Sequence, residues 1–383
     1  MLVTLLVFLL ILSVLVMIHE LGHFVVAKKL GILVEEFGFG LPPRIWGKKI
    51  GETTYSINWL PIGGFVKLYG EDQEESGTKD KKSLQFAVRS SQLEKRAFYS
   101  RPVWQRILVL VAGVVMNFLL GIVIISYLFT QGVMVPTDRV HVEKIVSGSP
   151  ADTAGLLEKD VIIKLKVKSE KFQPQADRPL DEKIEEVEIK SSDDLINTTK
   201  EHLGEEIILI VERNGKELEF ILTPRKDYPP DEGPMGVTIS TYEEKRYSIW
   251  QAPIQGTKEA LILSWELVKG IGITLWKLVS FQPVSKDVAG PIGIAQITGE
   301  AVKFGNNAVL ELLGLLSLNL AIVNILPFPA LDGGRLLFVL IEGATGRRLK
   351  ATWERYVHQI GMAILLALIL LVTINDLIRI FGK

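Results

Sequence analysis

Hydrophobic and polar positions divide this chain into long apolar runs and one long charged interior. Residues 1–18 are almost wholly apolar, and further runs cover residues 103–129, 308–326 and 357–380. Each approaches or exceeds the roughly 20 residues that a helix needs to cross about 30 Å of hydrocarbon, so four transmembrane helices are expected. Lys28-Lys29 close the first run, and Arg335, Arg347, Arg348, Lys350 and Arg355 lie in an inner loop expected between the third and fourth. Basic residues gather on the cytoplasmic side, which puts both termini outside. The first run has no basic segment before it and reads as a retained helix rather than a signal peptide.

Between the spans the period changes. Residues 31–102 alternate in strand fashion with Gly and Pro punctuation. Residues 55–60, then Pro61 and Gly63-Gly64, then residues 65–69 read as a β-hairpin with an apolar turn that dips into the membrane interface. Residues 71–95 read as a charged, solvated loop. Residues 133–240 have the pattern of an α+β domain: strands at 140–146, 161–167, 207–212 and 218–223, a short helix opened by Ser149-Pro150-Ala151, and a helix at 193–203. Asn214-Gly215 between apolar runs is a hairpin turn signal, and Ser191 with Asp194 is a helix cap. Residues 249–282 are amphipathic, with Trp250, Trp265, Trp276 and Phe281, and predict a helix on the outer surface. Gly290-Pro291-Ile292-Gly293-Ile294 then breaks the chain. The predicted organisation is a membrane half (1–130), an inserted domain (133–240), an interfacial segment (249–304) and a second membrane half (305–383).

Charge agrees with this topology and excludes some functions. The net charge of -1 argues against a nucleic-acid partner, and the absence of cysteine removes disulfides, thiolate catalysis and Cys-type zinc sites. Residues 28–102 carry 13 basic against 9 acidic residues, whereas residues 129–248 carry 17 against 25, so the inserted domain is expected outside the membrane.

The first span contains His19-Glu20-Leu21-Gly22-His23. Ionisable groups within a membrane helix cost roughly 2.5–3.5 kcal/mol each at mid-depth unless paired or metal-bound. Residues four apart share a helix face, so His19 and His23 can offer two imidazole nitrogens to one ion, while Glu20 can reach a water there without being a ligand. Zinc suits this pattern best, although spacing alone does not exclude iron, cobalt or manganese. A third ligand is needed. The third span ends in Asn324-Ile325-Leu326-Pro327-Phe328-Pro329-Ala330-Leu331-Asp332-Gly333-Gly334, and Asp332 would lie in the inner half of the membrane with the histidines. Spacing alone reads Asp332 equally well as an Asp-Gly turn. Ala112-Gly113 and Asn117 in the second span read as a helix-packing face and an interhelical hydrogen bond. His141, His202 and His358 read as unrelated to the metal.

His19-Glu20-x-x-His23 with Asn324-x-x-Pro327-x-Pro329-x-Leu331-Asp332-Gly333 resembles the site-2 protease family of intramembrane zinc metalloproteases. Gly63-Gly64-Phe65-Val66-Lys67 and Gly290-Pro291-Ile292-Gly293-Ile294 are similar to its bacterial regulator-of-sigma-E (RseP) branch. At Ser149-Pro150-Ala151, Ala154-Gly155-Leu156 and Asp160-Val161-Ile162 the inserted domain resembles a single bacterial PDZ domain, with Lys159 standing where Gly is usual and residues 166–186 as an insertion. Residues 236–240 would supply its first strand. The expected fold is thus a multi-pass α-helical membrane protein with a membrane-associated β-hairpin and an extracytoplasmic PDZ-like domain.

The resemblance implies Zn2+ held by His19, His23 and Asp332, Glu20 as proton carrier, and Asn324 holding substrate backbone or the oxyanion. It also implies single-pass membrane protein substrates, such as a trimmed anti-sigma factor or a remnant signal peptide, in a bacterial inner membrane. The PDZ-like domain would bind a chain end or act as a size filter. Two other classes compete. A catalytically silent membrane-tethered PDZ scaffold leaves the ionisable groups in lipid unexplained. A metal transporter would show more intramembrane carboxylates or an internal repeat.

Overall fold

The computed structural model describes residues 2–71, 93–168, 184–229, 232–280, 289–348 and 351–381. The chain divides into two compact units, Met1–Thr130 with Ser248–Lys383, and Gln131–Tyr247. The predicted insertion at 166–186 and loop at 71–95 lie largely outside the described residues, as does Phe281.

The first unit combines helices with one β-ribbon. Four helices are long and apolar enough to cross a membrane, with spans at Leu2–Lys29, Val103–Gln131, Asn306–Ile325 and Thr352–Arg379. The first three of these spans are α1 (Leu2–Lys29), α2 (Val103–Gln131) and α7 (Asn306–Ile325), and the fourth lies in α9 (Ala351–Phe381). Between α2 and α7 in this unit lie α5 (Ala252–Val279), with Trp250, Trp265 and Trp276 exposed, and α6 (Pro291–Phe304). Pro291 does not break the chain but opens α6 at a first-turn position, where a missing N–H costs nothing. The expected loop between the third and fourth spans is also corrected, because it contains α8 (Asp332–Thr345).

Small residues set the helix spacing. A Cβ on Gly22 of α1 would overlap the Ala112 carbonyl of α2. The backbones meet at that point, as the Ala112-Gly113 pair predicts. One apolar core joins Ala27, Ile32, Val34, Leu68, Val109, Leu110 and Val339, so it ties α1, α2 and α8 to the adjoining strands.

Those strands differ from the predicted hairpin. β1 (Val34–Ile50) and β2 (Thr53–Leu68) form one long antiparallel ribbon whose tip turn is at Gly51-Glu52. The run 55–60 and residues 65–68 of the run 65–69 belong to the same strand and do not pair with each other. The ribbon folds back on itself: Glu36–Phe39 pairs with residues 64–67 on one side and with residues 54–57 on the other. Residues 64–68 therefore form an outer edge, and that edge runs along α1. The Ser13 hydroxyl donates to the Pro61 carbonyl at 3.1 Å. A Cβ on Gly64 would strike Met17 Sδ, which explains a glycine in a strand here.

In the second unit six strands pair in the order β7 (Lys216–Leu222), β6 (Ile207–Arg213), β4 (Val161–Lys168), β3 (Val133–Ile145) and β8 (Val237–Lys245), with β5 (Ile184–Glu188) also on β4. β8 pairs antiparallel with β3, so the late segment supplies a strand beside the first one. The helices are α3 (Pro150–Ala154) and α4 (Ser192–Glu201). Ser191 and Asp194 form the expected capping box. Asn214 and Gly215 both have positive φ, 52° and 73°, as a tight hairpin turn requires. Lys159 has φ 74°, so a side-chain residue holds the left-handed position for which Gly is usual, at a cost of about 1–2 kcal/mol. The core includes Ile162, Leu165, Leu195, Ile207, Leu209 and Val211, each buried to within 2%. Burying each of these side chains contributes roughly 1.5–3 kcal/mol.

Candidate active site

The two histidines of α1 are buried, and α2 fixes both. His23 Nδ1–H donates to the Val109 carbonyl at 2.8 Å, which leaves Nε2 as the lone-pair nitrogen. Asn117 of α2 lies against His19, with Nδ2 at 3.3 Å from Nδ1. The Asn117 backbone carbonyl also accepts the Ser317 hydroxyl of α7 at 2.7 Å. Between Val109 and Asn117, Gly113 passes so close that a Cβ would lie 2.7 Å from His19 Cε1. A side chain there would displace the imidazoles.

The third group arrives from 313 residues away. Leu326 ends α7, two prolines follow, and Asp332 opens α8, with Gly333 and Gly334 next to it. A Cβ on Gly333 would overlap the Ile325 and Leu326 carbonyls, and one on Gly334 the Phe328 carbonyl. The glycine pair lets the first turn of α8 tuck under the end of α7. As a result Asp332 Oδ2 lies 2.8 Å from His19 Nε2 and 3.3 Å from His23 Nε2, and the two Nε2 atoms are 3.2 Å apart.

These three atoms fit a metal. Tetrahedral zinc with bonds of about 2.0–2.1 Å sets its ligand atoms about 3.3 Å apart. His19, His23 and Asp332 form a possible metal-binding group among the described residues. A chain without cysteine offers no thiolate, and two imidazoles with one carboxylate suit a site that keeps an open position.

Glu20 stands beside them. Its Oε2 accepts the Val66 N–H of the β2 edge at 3.0 Å. Asn324 Nδ2 lies 3.4 Å from His19 Nε2. A cavity of about 210 Å³ is lined by Val16, His19, Glu20, Leu320, Asn324, Ala330, Leu331 and Asp332. All five predicted site residues are therefore brought together.

Two neighbours were not read from the sequence as part of the site. Asn117 read as an interhelical hydrogen bond, and its side chain makes one across the α1–α2 contact, to an imidazole of the site. The signal was its spacing, four residues after Gly113 on the face that meets the histidines. His358 read as unrelated, yet it accepts the Ala330 N–H two residues before Asp332 at 3.3 Å. His141 and His202 lie in the second unit, beside Glu243 and Glu205.

Comparison with known proteins agrees with this arrangement. Residues 7–368 match Peptidase family M50. The chain is 32% identical to the zinc metalloprotease RasP of Bacillus licheniformis, covering 99% of each chain. It is 30% identical to the regulator of sigma-W protease RasP of Bacillus subtilis, again over 99% of each. A putative zinc metalloprotease of Clostridium perfringens is 32% identical over 96% of each. With the paired motifs meeting at one cavity and the match spanning almost the whole length, this chain belongs to peptidase family M50, the site-2 protease family.

Proposed function

We propose that this protein is an intramembrane zinc metalloendopeptidase that cuts within the transmembrane segments of single-pass membrane proteins. The observation that carries the reading is the meeting of His19 Nε2, His23 Nε2 and Asp332 Oδ2 within membrane-length helices, beside Glu20. Their relatives' names point the same way, since they speak of zinc metalloproteases and of a regulator of a sigma factor.

His19, His23 and Asp332 would hold the metal. When bound, zinc supplies Lewis acidity toward a water and a peptide carbonyl. Glu20 takes a proton at its carboxylate as the water oxygen bonds to the carbonyl carbon, and returns it to the amide nitrogen as the C–N bond breaks. The Val66 N–H bond to Oε2 keeps that carboxylate at the cavity wall. Asn324 donates from Nδ2 to the substrate backbone or to the oxyanion as charge develops there.

A substrate helix satisfies its own carbonyls and must unwind before attack. The β2 edge at residues 64–68 lies along α1 beside Glu20, and an extended segment would pair with those of its backbone groups that Glu20 and Glu71 do not already engage. Remnant signal peptides and trimmed anti-sigma factors have the required single span. The Gln131–Tyr247 unit, read as a single PDZ-like domain of the RseP branch, would lie outside a bacterial inner membrane and bind a chain end or limit substrate size.

The test is cleavage of a tagged transmembrane substrate by purified wild type and Glu20→Gln, with metal content measured on both. Cleavage by wild type alone, with about one zinc per chain in each, is expected. If neither preparation binds metal under zinc-replete conditions, the reading gives way to a membrane-tethered scaffold.

A further inference from the structure

Two of the three metal-facing groups sit on one continuous helix, so the geometry of the site depends on how firmly Asp332 is delivered. The turn that delivers it is short of internal support. Pro327 and Pro329 have no N–H to give. The Phe328 N–H donates to the Leu326 carbonyl at 2.7 Å and the Leu331 N–H to the Phe328 carbonyl at 3.2 Å. Between them Ala330 adopts φ 82°, a left-handed conformation that a residue with a Cβ avoids unless its surroundings impose it.

α9 supplies the constraint. The Ala330 N–H donates to His358 Nδ1 at 3.3 Å. One turn further along the same helix face, Gly361 abuts Pro329, where a Cβ would lie 2.6 Å from the Pro329 carbonyl oxygen. A hydrogen bond and a close contact thus clamp adjacent residues of the turn. In the apolar 18-residue stretch of α9 only 6% of the residues are buried. Towards its other end, buried Asp376 accepts the Gly293 N–H of α6 at 2.8 Å and holds the helix there.

We propose that His358 is a positioning residue for the metal site: by accepting the Ala330 N–H it imposes the left-handed turn that aims Asp332 at His19 and His23. This rests on the metal reading above. His358 does not touch the reacting atoms. Its imidazole must accept at Nδ1, a role that the Oδ1 atom of an asparagine can reproduce and an alanine cannot. Glycine at position 330 would adopt the same turn without help.

The test measures zinc affinity by chelator competition on purified full-length protein, for wild type, Asp332→Ala, His358→Ala, His358→Asn and His358→Ala with Ala330→Gly. Far-UV circular dichroism checks that each is folded. His358→Ala should bind zinc about tenfold more weakly than wild type, as loss of a group that orients a ligand does. His358→Asn should stay near wild type, and the added Ala330→Gly should recover much of the loss. Wild-type affinity in His358→Ala, or an equal loss in His358→Asn and in the double variant, would overturn the proposal. If Asp332→Ala binds zinc as wild type does, the metal reading itself fails, which is a separate and recognisable result.

Discussion

Asn117 and His19 face each other across the α1–α2 contact with Nδ2 3.3 Å from Nδ1, while the buried Oδ1 atom of the same amide has no hydrogen-bond partner among the described residues. Exchanging the ends of the amide lets Oδ1 accept the His19 Nδ1–H, which leaves Nε2 to face Asp332. The same logic governs His23 through the Val109 carbonyl. Asn117→Ala should therefore weaken zinc binding about tenfold, and Asn117→Asp, which keeps the acceptor, should weaken it less. Chelator competition on the two variants checks this; equal affinity in Asn117→Ala and wild type would show that the amide only packs.

Gly113 is the place where a methyl group reaches the site directly. Its Cβ would lie 2.7 Å from His19 Cε1 and 2.8 Å from His19 Nε2. Gly113→Ala should lower zinc retention by tenfold or more and abolish cleavage. Gly272→Ala, in α5 with open space around it, is the control and should leave both unchanged.

The contact between Glu20 and the β2 edge can be removed without changing Glu20 itself. Val66→Pro deletes the N–H that donates to Oε2, and an outer strand tolerates Pro where its N–H points away from the ladder. Loss of a hydrogen bond to a carboxylate, about 1.5–3 kcal/mol, predicts a fall in kcat/KM of about 10–100-fold with zinc content unchanged. A parallel loss of zinc would show that the strand supports the ligands instead.

In the second unit, Asp160 is 1% exposed and receives both Arg213 Nε at 2.7 Å and Nη2 at 2.6 Å, and the Leu157 N–H at 2.8 Å. The Asp160 carboxylate holds the Arg213 guanidinium above its ordinary pKa. Arg213→Ala leaves a buried carboxylate without its cation and should cost about 2–3 kcal/mol, discounted from the fully buried case because Arg213 is partly exposed. Hydrogen exchange on the full chain should show faster opening of residues 131–247 and no change in α1 or α2.

The parts legible in the sequence were those with a strong period or a costly exception. Four apolar runs became four long helices, and the ionisable groups in the first of them marked the site because lipid tolerates them poorly. Glycine and proline misled where they serve approach rather than turning. Pro61, Gly63 and Gly64 read as a hairpin turn, but they let a strand lie against α1, and the turn is at Gly51-Glu52. Gly333-Gly334 read as loop, but these residues begin α8 under the end of α7. Pro291 read as a break and opens α6. A single sequence states that a backbone is bare there and leaves open what approaches it. Asn117 read correctly as an interhelical hydrogen bond, but its partner and that of His358 lie on distant segments and were not legible.

The separation of 313 residues between His19 and Asp332 also has a consequence in time. At about 5–20 residues per second, a ribosome that has made the first two imidazoles needs some 15–60 s more to make the carboxylate. A chain in synthesis, or one truncated before α8, holds Glu20 and two histidines in the membrane without the third ligand. In the proposed protease, activity thus begins only when the last quarter of the polypeptide has been inserted, and the order of synthesis itself keeps unfinished copies silent.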